Sequence, residues 1–347
     1  MKIKVKLICF DSYGVKSSCT SVETPDVSIL IDPGAAIMHP TFPAEYEDKV
    51  KWLLTGKKAI IRAAENTDII VISHYHWDHF LPDNLDIYSG KKILVKNPNN
   101  YINESQRNRA IEFFENLWKR YINKQLDLRN AEDREYADTA EELGSINKDF
   151  GDYNNRRKEL LNKGKKWFIR LRDKWLRWGH IPEIKTRDIE IIYPEGKIFR
   201  FGSTKLRFTK PMFHGIEYSR VGWVFSTIIE YGDTKILHSS DLNGPIIEDY
   251  ADFIIRESPE IIILDGPMTY MLGYTLNLIN FNRILKNAVK IVENVDFQFM
   301  IWDHHLPRER RYRKRTQIVW ETAEKLGKTL LTAREFEYGQ KPIVEEL

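Results

Sequence analysis

Cys9 and Cys19 are the only cysteines in this chain of 347 residues, and that scarcity excludes a disulfide scaffold and any thiolate-built zinc knuckle or ribbon. Both are expected to be buried free thiols. Long apolar runs are missing as well, so no segment reads as a bilayer span and no membrane partner is expected. The opening Met1 to Ile8 alternates lysine with apolar residues, as a half-exposed strand does and a secretory signal does not. Charge of one sign is the third absence. Lys and Arg number 53 and Asp and Glu 50, which leaves +3, too little for a whole-molecule field toward nucleic acid or membranes. These readings place the chain in the cytoplasm, and 42% hydrophobic residues over this length suffice for a substantial core.

What is present is concentrated. Ser73-His74-Tyr75-His76-Trp77-Asp78-His79 packs four candidate metal ligands into six positions directly behind an apolar run. Imidazoles and carboxylates are costly to desolvate, and a chain gathers them where a cation compensates. If Asp68 to Ser73 is a strand, His74 and His76 project to one side and can share an ion, while the turn beyond carries Asp78 and His79 toward a second one. A solvated histidine-rich loop is the plainer alternative.

Around this motif the pattern predicts strands at Lys2 to Phe10, Cys19 to Thr24, Val27 to Ile31 and Lys92 to Val95, with a helix from about Ala44 to Ala64. Residues 99–180 read differently, as a charged and aromatic helical insertion. Ile111, Phe114, Trp118 and Tyr121, then Leu161, Phe168, Leu171, Trp175 and Trp178, recur at helical spacing and predict two antiparallel helices burying their stripes together. These aromatics are read as core rather than as nucleotide-stacking platforms. Beyond Ile189, strands are predicted at Ile189 to Tyr193, Leu206 to Thr209, Val224 to Glu230, Lys235 to Ser239, Ile261 to Leu264 and Phe297 to Trp302. Helices are predicted at Ile246 to Arg256 and Leu276 to Asn294, and Gly232-Asp233 reads as a hairpin turn. The expected organisation is one catalytic domain from 1–98 and 181–347, interrupted by the 99–180 insertion.

Three more ligand-type sites follow apolar strands, where a rigid sheet presents side chains on loops. They are His214 before Gly215, Asp241 after the hairpin, and His304-His305. Asp241 has two oxygens with which to bridge ions. In isolation, a core histidine and a turn or helix-capping aspartate are the plainer readings of His214 and Asp241. Adjacent residues on an extended chain point oppositely, so only one of His304 and His305 is expected to be a ligand.

In order along the chain, these groups read His-x-His-x-Asp-His, then His, then Asp, then His. That order resembles the metallo-β-lactamase-fold superfamily, and is most similar to an uncharacterised, mainly archaeal family of predicted hydrolases. Val22-Glu23-Thr24, Ile31-Asp32-Pro33-Gly34, Ser240-Asp241-Leu242-Asn243-Gly244-Pro245, Asp265-Gly266-Pro267 and Asp303-His304-His305-Leu306 carry the likeness over nearly the whole chain. Met268 stands where that family has a second proline, and Pro307-Arg308-Glu309 where it has an Arg-Asp pair. The resemblance implies an α+β fold, a four-layer αβ/βα sandwich with a helical insertion. It implies one ion held by His74, His76 and His214 and another by Asp78, His79 and His304, with Asp241 bridging and His305 the second choice for the last ligand. Two divalent metal ions, zinc first and iron or manganese as alternatives, would activate a bridging hydroxide for hydrolysis.

Asp78, His238 and His305 are the candidate catalytic residues. His238 and His305 are candidate proton donors to the leaving group, with a structural or ligand-orienting role the equal alternative for each. Asp265 and Asp303 are candidate orienting carboxylates. Basic runs at Arg308 to Arg315 and Arg156 to Lys166 favour an anionic phosphodiester, a small molecule or nucleic acid, over a neutral ester or lactam, with solvated helix faces the plainer alternative. A lactone or ester hydrolase of small carboxylates, two-iron redox chemistry and a non-catalytic nucleic-acid-associated metal-binding protein are the competing readings. Homo-oligomerisation stays open.

Overall fold

The computed structural model describes residues 3–130 and 135–347, so Lys2 of the predicted opening strand lies outside it. Seven strands form the first sheet: β1 (Lys4–Phe10), β2 (Ser18–Glu23), β3 (Ser28–Ile31), β4 (Ile69–Ile72), β5 (Lys91–Val95), β6 (Ile184–Lys185) and β7 (Ile189–Ile192), in the order β1-β2-β3-β4-β5-β7-β6. The rest follow in the chain as β8 (Ile198–Phe201), β9 (Thr204–Phe208), β10 (Met212–Phe213), β11 (Trp223–Val224), β12 (Thr227–Tyr231), β13 (Thr234–His238), β14 (Ile261–Asp265), β15 (Phe299–Asp303) and β16 (Leu330–Leu331). The second sheet runs β16-β15-β14-β13-β12-β9-β8, and β10 pairs with β11 apart from it. Val224 to Glu230, predicted as one strand, is therefore two, because the chain changes pairing partners at Phe225-Ser226.

Side chains alternate across a strand, and this period of two assigns the layers. In β4, Ile69 and Val71 enter an inner core shared with Leu206, Ile229, Ile261 and Ile263, whereas Ile70 and Ile72 face an outer core under α1 (Tyr46–Glu65) and α2 (Glu104–Leu117). Strand β14 does the same on the other sheet. Its Ile262 and Leu264 meet α4 (Glu248–Glu257) and α5 (Leu278–Asn294) through Ala251, Ile254, Ala288 and Ile291. Two facing sheets with helices outside each make the four-layer αβ/βα sandwich, and strands buried on both faces are why β4 and β14 are unbroken apolar runs.

The segment between β5 and β6 holds α2 and α3 (Asn154–Trp175). The expected antiparallel pair is corrected here. The stripe of α2 faces the first sheet with Phe113, Phe114 and Leu117. The stripe of α3 packs instead on the loop bearing His214, where Phe168, Leu171 and Trp175 meet Phe213, Trp223 and Leu242. A helical stripe is buried by whatever apolar surface faces it, and here the sheet and the His214 loop supply that surface. Phe168 and Trp175 are wholly buried, which leaves them no face for a base.

Candidate metal centre

Strands β3, β4 and β5 are mutually parallel, as are β13, β14 and β15, so their carboxyl ends line one edge of the sandwich. Asp11 leaves β1 there, Asp32 leaves β3, His74 follows β4, Asp241 follows β13 and His304 follows β15. The backbone is bent to aim them. Asp32, Ser240 and His305 have φ of 50°, 57° and 68°, a region that non-glycine residues enter only where surrounding contacts hold them. Gly34 lies against the backbone of His79 and Phe80, and a Cβ there would fall 2.1 Å from the Phe80 nitrogen, so only glycine lets the Asp32 loop reach the motif.

Asp241 is the hub. Its Oδ2 lies 3.2 Å from Nε2 of both His79 and His214, 3.5 Å from that of His74 and 3.7 Å from that of His305, and its Oδ1 lies 3.4 Å from Nε2 of His304. Asp78 joins through His304 at 3.9 Å, and His74 Nε2 is 3.0 Å from His76 Nδ1. Four donors at 2.0–2.1 Å around a tetrahedral cation lie about 3.4 Å from one another, which is the spacing found here. His74, His76, His214 and Asp241 form one convergent group, Asp78, His79 and His304 a second, and Asp241, His304 and His305 a third. His79 Nε2, His304 Nε2 and Asp241 Oδ1 are buried without a hydrogen bond. Orphaned atoms of this kind, all nitrogen or oxygen, fit a bound divalent cation.

Behind these groups a second layer selects which ring nitrogen faces inward. Nδ1 of His79 donates to Asp32 at 2.9 Å and Nδ1 of His304 donates to Asp11 at 3.0 Å, which leaves Nε2 as the free donor atom in both. Ser73 links His74 to the same Asp32, since its hydroxyl donates to the carboxylate at 2.7 Å and lies 3.0 Å from His74 Nδ1. Asp11 and Asp32 were not singled out for this task in the sequence. The available signal was that each is an aspartate ending an apolar strand, as Asp241 nearly does.

Electrostatics follow the carboxylates. Burial pulls His79 down, but Asp241 and Asp32 outweigh it and bring it up to about 10. His304 is likewise lifted well above the ordinary imidazole range, against burial, by Asp11 and Asp241. His76 is lowered to about 3 by burial and by His214. Burial and the neighbouring Asp241 push Asp265 far above the carboxylate range, and burial with Asp11 takes Asp303 to about 7.

Three expectations need correction. His304 and His305 do not point oppositely: the left-handed backbone at His305 breaks the extended strand, and their ring centroids lie 4.1 Å apart on the same side. His238 accepts from Ser240 N–H through Nδ1 at 3.2 Å, and its Nε2 faces Ser18 O at 3.1 Å, so neither nitrogen is left for a leaving group. Asp303 accepts from the backbone N–H of Ser12 and Ala333 and orients no histidine. Asp265 accepts from Leu242 and Asn243 N–H, which braces the Asp241 loop, and lies 3.6 Å from His305 Nδ1.

Comparison with known proteins agrees with this geometry. Residues 13–138 match the beta-lactamase superfamily domain. The UPF0282 protein of Sulfurisphaera tokodaii is 32% identical over 96% of this chain and 88% of its own length, and that of Korarchaeum cryptofilum is 30% identical over 94% and 86%. The chain belongs to the UPF0282 family. A solved structure of the metallo-beta-lactamase fold protein YhfI from Bacillus subtilis is 13% identical, covers 95% of each chain and superposes with a TM-score of 0.44. Within the stretch that matches that domain, and beyond it, this UPF0282 chain presents a histidine and aspartate cluster suited to metal. Among its described residues, no helix is long and apolar enough to cross a membrane.

Proposed function

We propose that this UPF0282 chain is a hydrolase whose centre holds two divalent cations and cleaves an anionic phosphodiester. The reading rests on one observation: donors from three other chain segments converge on Asp241, and several of the inner atoms are buried without a hydrogen bond. We assign His74, His76 and His214 to one cation and Asp78, His79 and His304 to the other, with Asp241 between them. The donor set contains no thiolate and suits zinc first, then iron or manganese. When bound, such a pair supplies Lewis acidity and lowers the pKa of water at neutral pH.

The chain's own residues do the rest. Asp32 and Asp11 hold His79 and His304 in the tautomer that faces inward, and the strand ends fix all donors before substrate arrives. To His305, 3.7 Å from Asp241 and 3.6 Å from Asp265, we assign the passing of a proton between a buried carboxylate and a leaving group. Residues 99–180 act as an insertion that braces the His214 loop through Phe168, Leu171 and Trp175. The scarcity of cysteine supports a cytoplasmic setting.

Metal analysis of the purified protein, followed by a panel of phosphodiesters, RNA, lactones and thioesters, tests the proposal, with His76→Ala as the control. Two equivalents of metal and phosphodiester turnover that His76→Ala abolishes in a folded protein are expected. A protein that takes up none of zinc, iron or manganese, or undiminished turnover by His76→Ala, would overturn it. Salt-independent activity confined to lactones would replace the diester with a small carboxylate ester.

A further inference from the structure

The arginines that follow the double histidine do not act as one patch. Arg310 bonds the Leu347 carbonyl, Arg313 pairs with Glu335 and Glu345, and Arg315 with Glu309. Arg308 is different, being 5% exposed and laid against the metal centre. Its Nε donates to Asp11 and its Nη1 to the Tyr270 hydroxyl at 3.0 Å. The third arm, Nη2, is buried and makes no hydrogen bond, and Asp78 Oδ2 lies 3.9 Å from it. A guanidinium arm is seldom buried idle.

A second cation shares this position. Lys16 is half-buried and directly precedes Ser17, whose N–H donates to Asp11 Oδ1 at 3.0 Å and whose carbonyl lies 3.0 Å from His304 Nδ1. Among the described residues, the Lys16 ammonium makes neither an ion pair nor a side-chain hydrogen bond. Burial and the charge of Arg308 hold Lys16 below the ordinary lysine value, with Asp78 and Asp11 opposing them, so both cations sit in the field of the same two aspartates. His39 feels the same positive wall: its ring is 5.7 Å from that of Tyr270, and burial, Lys16 and Arg308 all depress it. Asp11 is already engaged by His304 Nδ1, His305 N–H and Arg308 Nε. Asp78 is one of the proposed ligands, and a carboxylate committed to a cation has little charge left for Arg308 and Lys16.

The position of this positive charge separates two substrate classes. In a lactone or lactam that bears a carboxylate, the negative charge stands several atoms from the carbonyl under attack. A phosphodiester carries its charge on the reacting group itself. A guanidinium arm 3.9 Å from a metal-ligand carboxylate serves the second case. We propose that Arg308 Nη2 and Lys16 Nζ form the subsite that receives a non-bridging oxygen of the scissile phosphodiester, beside the Asp78 side of the centre. This deepens the hydrolase reading and rests on it for the identity of the reacting group.

Binding without turnover tests it. Dimethyl phosphate, and separately inorganic phosphate, is titrated calorimetrically into the metal-loaded full-length protein, with bound metal measured on the same samples. Lys16→Gln, at a half-buried position with no side-chain partners to lose, is expected to weaken dimethyl phosphate binding about tenfold with metal content unchanged. Arg308→Lys keeps the charge but loses the fork, and is expected to weaken it at least as much. The subsite is overturned if Lys16→Gln binds dimethyl phosphate within twofold of the unsubstituted protein at equal metal content. Should the unsubstituted protein bind dimethyl phosphate through Lys16 yet hydrolyse nothing in the panel, the hydrolase reading fails and the subsite stands. Should it hydrolyse a diester that Lys16→Gln binds equally well, the subsite fails and the hydrolase reading stands.

Discussion

Two clusters of charge are buried in this molecule, one at the metal centre and one where α3 meets α4, α5 and the loop bearing His214, and they obey opposite rules. In the second, Arg283 donates to both Glu217 and Glu248, Arg157 donates to Glu217, and Phe150 lies within 5.0 Å of both guanidinium carbons. None of the charged atoms of these four residues is buried without a partner. At the metal centre, by contrast, imidazole nitrogens and a carboxylate oxygen stay unpaired although buried just as deeply. A matched cluster is complete as folded and fixes one element on another. An unmatched cluster is stable only if something of opposite charge joins it, which is how function is distinguished from scaffold here.

The comparison can be broken from either side. The largest effect is expected from Asp241→Ala, which removes the group facing five histidines and should cost the protein its bound metal, as read by elemental analysis. Next, Glu217→Gln would leave Arg283 and Arg157 short of charge in a buried site. It should lower stability by about 3–5 kcal/mol in denaturant titration while metal content holds. Asp32→Asn keeps the shape but weakens the hold on His79, and a 10- to 100-fold drop in metal affinity is expected by competition with a chelator.

Acid and base sharpen the contrast, since the two clusters respond in opposite senses. Burial raises Glu217, but Arg283 and Arg157 outweigh it and hold its folded pKa below 4.5. Its contribution is therefore present above 4.5 and lost as pH falls through the lower folded value. His79 is raised from 6.5 to about 10, so in metal-free protein its contribution is complete below 6.5 and lost as pH rises toward 10. Metal must displace that proton, so affinity should climb with pH over this window, with proton release measurable by calorimetry in buffers of different ionisation enthalpy. The smallest effect belongs to the exposed Arg156–Glu159 pair at 2.8 Å, where Arg156→Ala should change stability by less than about 0.5 kcal/mol and metal content not at all.

Much of the architecture was legible because it is local. Short apolar runs such as Ile69–Ile72 announced strands within a residue or two of their ends, and the Gly232-Asp233 turn announced its hairpin. The split at Phe225-Ser226 was not, because nothing in an apolar run says when a strand changes partners. Packing of the insertion was misread for a related reason: a helical stripe shows that a face is buried, not against what. The roles of Asp11 and Asp32 were equally hidden. Each is set by a histidine ring nitrogen that meets it across a separation of 293 and 47 residues.

Chain order alone therefore determined the chemistry available, imidazoles and carboxylates behind apolar strands, because composition and short-range periodicity are carried by neighbouring residues. Tertiary structure decided which of them meet. It turned His305 beside His304 through a left-handed backbone, drew His238 away to Ser18, and separated Arg308 from the paired arginines after it. Those outcomes depend on strand order and on the desolvation of one shared pocket, and both arise only when distant segments are brought together.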